Sequence, residues 1–157
     1  MTKTAFLFAG QGAQYLGMGR DLYDRYPIVK ETIDQASQVL GYDLRDLIDK
    51  EETKLNQTRY TQPAILATSV AIYRLLKEKG YQPDMVAGLS LGEYSALVAS
   101  GALDFEEAVA LVAKRGAYME EAAPAGSGKM VAVLNTPVDV IEEACKTASE
   151  VGIVTSA

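Results

Sequence analysis

Apolar and polar positions alternate along this chain in two rhythms. Lys3 to Ala9 is a short, nearly unbroken apolar run that ends at Gly10-Gln11-Gly12, as a buried strand entering a tight glycine turn does. Met85 to Gly88 is a second such run, entered from Pro83-Asp84. Between them the period lengthens to that of helices. Pro27 opens one, with Ile33, Ala36, Val39 and Leu40 at helical spacing until Gly41 stops it. From Asp43 to Tyr60 only Leu44, Leu47 and Ile48 promise a helical turn, so this stretch reads as a mostly solvated connection without chemistry. Pro63 is expected to open a further helix with Ile65, Ser69, Ile72 and Leu76 on its stripe, ending in Lys77-Glu78-Lys79-Gly80.

After the second run a helix over Tyr94–Ser100 stops at Gly101, and Asp104 with Glu107 forms a capping box for the next. Pro124-Ala125-Gly126-Ser127-Gly128 has no apolar period and is the clearest boundary in the chain. Past it, Met130–Leu134 reads as a strand, Pro137 opens a helix carrying Val138, Ile141, Ala144, Cys145 and Ala148, and Val151–Thr155 reads as another strand. Two regions follow, residues 1–125 and a β-α-β unit over 126–157. Alternating strand and helix through the first points to an α/β layer with parallel strands, and a ligand crevice at their carboxyl ends.

Composition narrows the class. With 157 residues and 48% hydrophobic content the chain can bury a core. Lys and Arg number 15 against 21 Asp and Glu, a net charge of -6 that argues against nucleic acid or an anionic membrane as the main partner. The single cysteine, Cys145, excludes an internal disulfide and reads as a small apolar packing residue. Neither a signal-peptide core nor an apolar run of membrane-spanning length is present, so a cytoplasmic location is the expectation.

The sharpest chemical signal is Gly88-Leu89-Ser90-Leu91-Gly92, a G-x-S-x-G between a strand pattern and a helix pattern. That context is what a nucleophile elbow needs: the turn lifts the serine hydroxyl clear of the sheet, and the next backbone N–H faces the carbonyl under attack. The Leu91 N–H is one candidate oxyanion donor and Gln11, in the other glycine turn, the second. The bland alternative is an incidental glycine-bearing turn. A dinucleotide fingerprint at Gly10 and Gly12 fails, because Tyr15 stands where the third glycine belongs.

Arg115 falls in the middle of an apolar arc with Ala108, Leu111, Val112 and Met119. It either pairs structurally, for instance with Glu93, or offers its planar fork to a substrate carboxylate. Gln62 either lines the crevice or caps a helix. Glu93 acts as a base only if its pKa is raised. Histidine, the usual partner of a serine nucleophile, is absent from the chain.

These blocks resemble the malonyl-CoA:acyl carrier protein transacylases and the acyltransferase domains of polyketide synthases. Phe8-Ala9-Gly10-Gln11-Gly12, Thr61-Gln62-Pro63-Ala64, Gly88 to Leu97 and Lys114-Arg115-Gly116 occur in that family's order, and the similarity covers the whole chain. The resemblance implies an α/β-hydrolase-like large domain with an inserted ferredoxin-like small domain beginning near Gly126–Met130. It implies a ping-pong transfer in which Ser90 takes malonyl from coenzyme A and passes it to the phosphopantetheine thiol of acyl carrier protein. By the same resemblance Gln11 and the Leu91 N–H form the oxyanion hole, Arg115 holds the malonyl carboxylate and Gln62 lines the acyl pocket. No cofactor or metal is implied, coenzyme A entering as its thioester. Leu91 resembles malonyl-selective members, whereas methylmalonyl-selective ones often carry Gln.

Two departures qualify the resemblance. The family usually has His immediately before the nucleophile, where this chain has Leu89, and its general base is another His much further along. The expectation is therefore an N-terminal half with nucleophile and clamp but without base, inactive or nearly so alone. The rival readings are a self-sufficient serine esterase, which lacks both His and an HGGG-type loop here, and a non-enzymatic module that binds acyl-CoA or carrier protein.

Overall fold

The computed structural model describes residues 3–124 and 126–156. They fall into two compact units, residues 1–125 and 126–157. The first is α/β. Strand β1 (Ala5–Phe8) pairs in parallel with β2 (Met85–Gly88), Ala5 opposite Met85 and Phe8 opposite Gly88. Parallel pairing requires a crossover, and the chain supplies a long one: α1 (Arg20–Arg25), α2 (Pro27–Leu40), α3 (Leu44–Lys50), α4 (Glu52–Leu55) and α5 (Thr58–Glu78). After β2 come α6 (Leu91–Ser100) and α7 (Phe105–Ala122).

The core lies among the helices. Ile33 of α2, Leu44 and Ile48 of α3, Leu55 of α4, Leu66 and Val70 of α5, and Val109 and Val112 of α7 are fully buried together. Each such side chain contributes about 1.5–3 kcal/mol relative to exposure. Phe6 and Phe8 of β1 turn edge-on to Tyr73 of α5, both at 6.4 Å between ring centres, which seats the sheet on the helices. The strand residues that alternate with them, such as Leu7 and Met85, are exposed.

Helix stops follow the glycines: Gly41 and Gly101 close α2 and α6 in the left-handed conformation. Asp104 caps α7 by accepting from the Glu106 and Glu107 amides. Other expectations are corrected. Residues 43–60 are not a solvated connection but α3, α4 and the start of α5. There Arg45, itself buried, bonds Asp49 and donates to the Met18 carbonyl at 3.0 Å, while Arg20 reaches the same Asp49. Pro63 does not open α5; it sits inside it. A proline there gives up the bond to the Arg59 carbonyl and its ring crowds that carbonyl. The buried face of α5 is broad and includes Thr61, Gln62, Ala64, Ile65 and Leu66, whereas Ile72 is exposed.

In the second unit, α8 (Val138–Ala148) forms as expected after Pro137. The strands expected over 130–134 and 151–155 do not, and the β-α-β order is replaced by helix flanked by irregular chain. Strand backbone is stable only against a partner strand. Among the described residues neither segment has one, and Met130, Leu134, Val151 and Ile153 are exposed. No helix among the described residues is long and apolar enough to cross a membrane.

Candidate active site

The carboxyl ends of both strands deliver chain to one place. β1 leads into the Gly10-Gln11-Gly12 turn, and β2 leads through Leu89 into Ser90, the residue before α6. Ser90 has φ 52° and ψ −108°, a sterically strained backbone for a residue with a side chain. Such geometry costs about 1–3 kcal/mol and survives only where its surroundings enforce it. Two glycines do so by removing Cβ atoms. A Cβ on Gly88 would stand 2.0 Å from the backbone of Gly92, and one on Gly92 would stand 2.2 Å from the carbonyl oxygen of Phe8. Strand, elbow and helix therefore pass at backbone distance, and Ser90 is left exposed at the crest.

The Leu91 amide is the first of α6 and, among the described residues, donates to no acceptor. Together with the helix dipole it favours negative charge beside Ser90. Leu91's side chain is buried in the core, which anchors that amide.

Around Ser90 a chain of polar side chains is drawn from three elements. Arg115 of α7 donates through Nη2 to Ser90 Oγ at 3.0 Å and through Nη1 to Gln62 Oε1 at 2.8 Å. Gln62, fully buried on α5, donates through Nε2 to Gln11 Oε1 at 3.3 Å and to the Met119 sulfur at 3.1 Å. Gln11 in turn donates through Nε2 to Thr58 Oγ1 at 3.1 Å. Between a donor-only guanidinium and an acceptor-only thioether the Gln62 amide has one favourable orientation, its carbonyl toward Arg115. The Arg115 guanidinium also lies over the Tyr94 ring, 5.6 Å from its centre.

The structure thus brings together Gln11, Gln62, Ser90, Leu91 and Arg115. Arg115 is paired with no carboxylate among the described residues, and the structural pairing with Glu93 does not occur. The side chains it bonds are neutral, and Leu111, Tyr118 and Met119 stand exposed beside it on the same helix. Leu111 and Met119, expected on the buried arc of α7, are exposed; the buried face is Phe105, Ala108, Val109, Val112 and Gly116. Among the described residues no group of three or more His, Cys, Asp or Glu could hold a metal ion.

Thr58, Tyr94 and Met119 complete the network and carry no readable signal of their own. Tyr94 and Met119 fall at helical offsets from Ser90 and Arg115, four residues on in each case, which is the only hint the spacing contains.

Fold and site together define an α/β protein with a strained serine at a strand-to-helix elbow and a cation at that serine's hydroxyl. The chain belongs to the acyl transferase domain family, which it matches over residues 5–156. It is 51% identical over 159 residues to the malonyl CoA-acyl carrier protein transacylase of Haemophilus influenzae, covering 99% of this chain and 51% of that protein. Identity to the Bacillus subtilis protein of the same name is 46% over 153 residues, or 97% and 48% of the two chains. Among solved structures it is similar to the crystal structure of MCAT from Streptococcus pneumoniae, with 90% identity and a TM-score of 0.91, over 99% of this chain and 51% of that one. The chain spans about half the length of the curated relatives it matches.

Proposed function

We propose that this chain carries the nucleophile and the carboxylate clamp of a malonyl CoA-acyl carrier protein transacylase serving fatty acid biosynthesis in the cytoplasm. The observation that carries the reading is the single guanidinium shared by Ser90 Oγ and the buried Gln62. A malonyl group esterified on Oγ holds its free carboxylate three bonds from that oxygen, within the sphere of an arginine that pairs with no carboxylate among the described residues.

In the first half-reaction Ser90 Oγ attacks the thioester carbonyl of malonyl-CoA and its proton leaves to a base. The tetrahedral oxyanion rests against the Leu91 N–H and Gln11, and coenzyme A departs as the thiol once protonated. In the second, the carrier protein's phosphopantetheine thiol attacks the malonyl ester, and Ser90 recovers its proton. Gln62 keeps Arg115 turned toward the carboxylate throughout. With no histidine in the chain, the base comes from outside these 157 residues. The family's α/β-hydrolase-like large domain and ferredoxin-like small domain are the architecture in which we place the two units. The missing imidazole also favours a second reading, a module that binds acyl-CoA or carrier protein without transfer.

Incubation with malonyl-CoA, followed by titration and intact-mass measurement, tests both. Binding with malonylation of Ser90 far slower than turnover is expected. Rapid stoichiometric malonylation overturns the placement of the base, absence of any binding overturns the clamp, and binding with no acylation even over long incubation favours the second reading.

A further inference from the structure

We propose that the Arg59–Glu120 pair is a positioning device that sets Arg115 for a carboxylate; the proposal rests on the reading of Arg115 as the carboxylate clamp. Arg59 stands in the first turn of α5 and Glu120 in the last turn of α7. The Glu120 carboxylate accepts from the Arg59 backbone N–H at 3.1 Å and from the Arg59 guanidinium Nε. The N-cap residue of α5, Gln57, makes no side-chain cap bond, so α7 supplies from outside the anion that the start of α5 favours.

Gln62 lies three residues beyond Arg59 on the same face of α5, and Arg115 lies on α7 before Glu120. The two helices therefore carry two rungs in antiparallel order, Arg59 to Glu120 and Gln62 to Arg115. Beside the outer rung the helices are in backbone contact: a Cβ on Gly116 would stand 2.7 Å from the Thr58 carbonyl oxygen and 2.8 Å from the Arg59 Cα. Contact that close fixes separation but not slip along the axis. The outer rung, holding a backbone amide and a side chain with one carboxylate, fixes slip, and so keeps the Gln62 carbonyl opposite the Arg115 fork. Its ion pair also keeps the Glu120 charge engaged away from the clamp.

The test is the ratio of acetyl-CoA to malonyl-CoA dissociation constants of the 157-residue chain, since only malonyl carries the second carboxylate. Glu120→Ala and Arg59→Ala are expected to lower this preference about three- to tenfold, the range of one or two hydrogen bonds, with acetyl-CoA binding unchanged. Glu120→Gln, which still accepts the Arg59 N–H, restores part of it. Equal losses for both ligands, or an unchanged ratio in Glu120→Ala while Arg115→Ala abolishes it, overturn the positioning role. An unchanged ratio in Arg115→Ala overturns the clamp itself.

Discussion

Arg115 Nη2 lies 3.0 Å from Ser90 Oγ, so the group we propose for a malonyl carboxylate touches the hydroxyl we propose as nucleophile. The guanidinium reaches Oγ and Gln62 at once because its donors are fixed in a planar fork. Lysine, a point charge, cannot make both contacts. Arg115→Lys is expected to weaken malonyl-CoA binding about tenfold or more and to leave acetyl-CoA binding nearly unchanged, as read by calorimetric titration. Equal affinity of the variant and the parent for malonyl-CoA would refute the bidentate role.

Gly92 has no room for a methyl group, the nearest obstacle being the Phe8 carbonyl rather than a side chain that can swing away. Gly92→Ala must push β1 and α6 apart. The expected cost is on the order of 3 kcal/mol, seen as a lower thermal midpoint together with loss of Ser90 reactivity toward malonyl-CoA. A variant that melts with the parent would show the elbow to be looser than its geometry.

Asp49 accepts from both Arg45 and Arg20. Burial alone would raise its pKa, but the hydrogen bonds from Arg45 and Arg20 outweigh burial and hold the carboxyl below its ordinary value. A depressed native pKa stabilises the fold above the unfolded-state value, and this contribution fades as pH falls from there through the native one. The chain should accordingly lose stability below about pH 4. Asp49→Asn should lower the thermal midpoint at pH 7, by a loss on the order of 2 kcal/mol, and flatten that acid limb. An acid limb of unchanged slope in the variant would assign it to other carboxylates.

Leu89, where the family usually has histidine, is 79% exposed. Its side chain contributes little to the core, so Leu89→His should change stability by less than about 0.5 kcal/mol. Because an imidazole at 89 precedes the nucleophile in sequence and does not receive its proton in the proposed mechanism, Ser90 malonylation should not accelerate. A large acceleration would move the base assignment to position 89.

The elbow was legible in the sequence because three local signals coincide at it: an apolar run, glycines flanking a serine, and a helical period beyond. Arg115 was legible as a charge on an apolar arc, although which residues of α7 are buried was not, since Leu111 and Met119 lie exposed instead of in the core. Residues 43–60 misled because their burial rests on contacts with distant chain, Arg45 to the Met18 carbonyl and Arg20 to Asp49, which no periodicity encodes. Pro63 misled because proline favours the first position of a helix, whereas here the helix already begins five residues earlier, at Thr58. The segments 130–134 and 151–155 carry strand composition, but composition cannot provide a partner, and strands exist only in pairs. Thr58 and the Arg59–Glu120 pair were invisible for the same reason: their meaning lies entirely in what stands opposite them.

The ladder that positions Ser90 joins residues 80 apart in sequence, as the bond from the Thr4 amide to the Asp84 carboxylate makes plain. Between them lie five helices whose core packing is local by comparison. Closing so long a loop is entropically unfavourable until those helices have collapsed. The helical body should therefore assemble first and the elbow last, so the strained serine becomes a reporter of completed folding: its reactivity appears only when the whole first unit is in place.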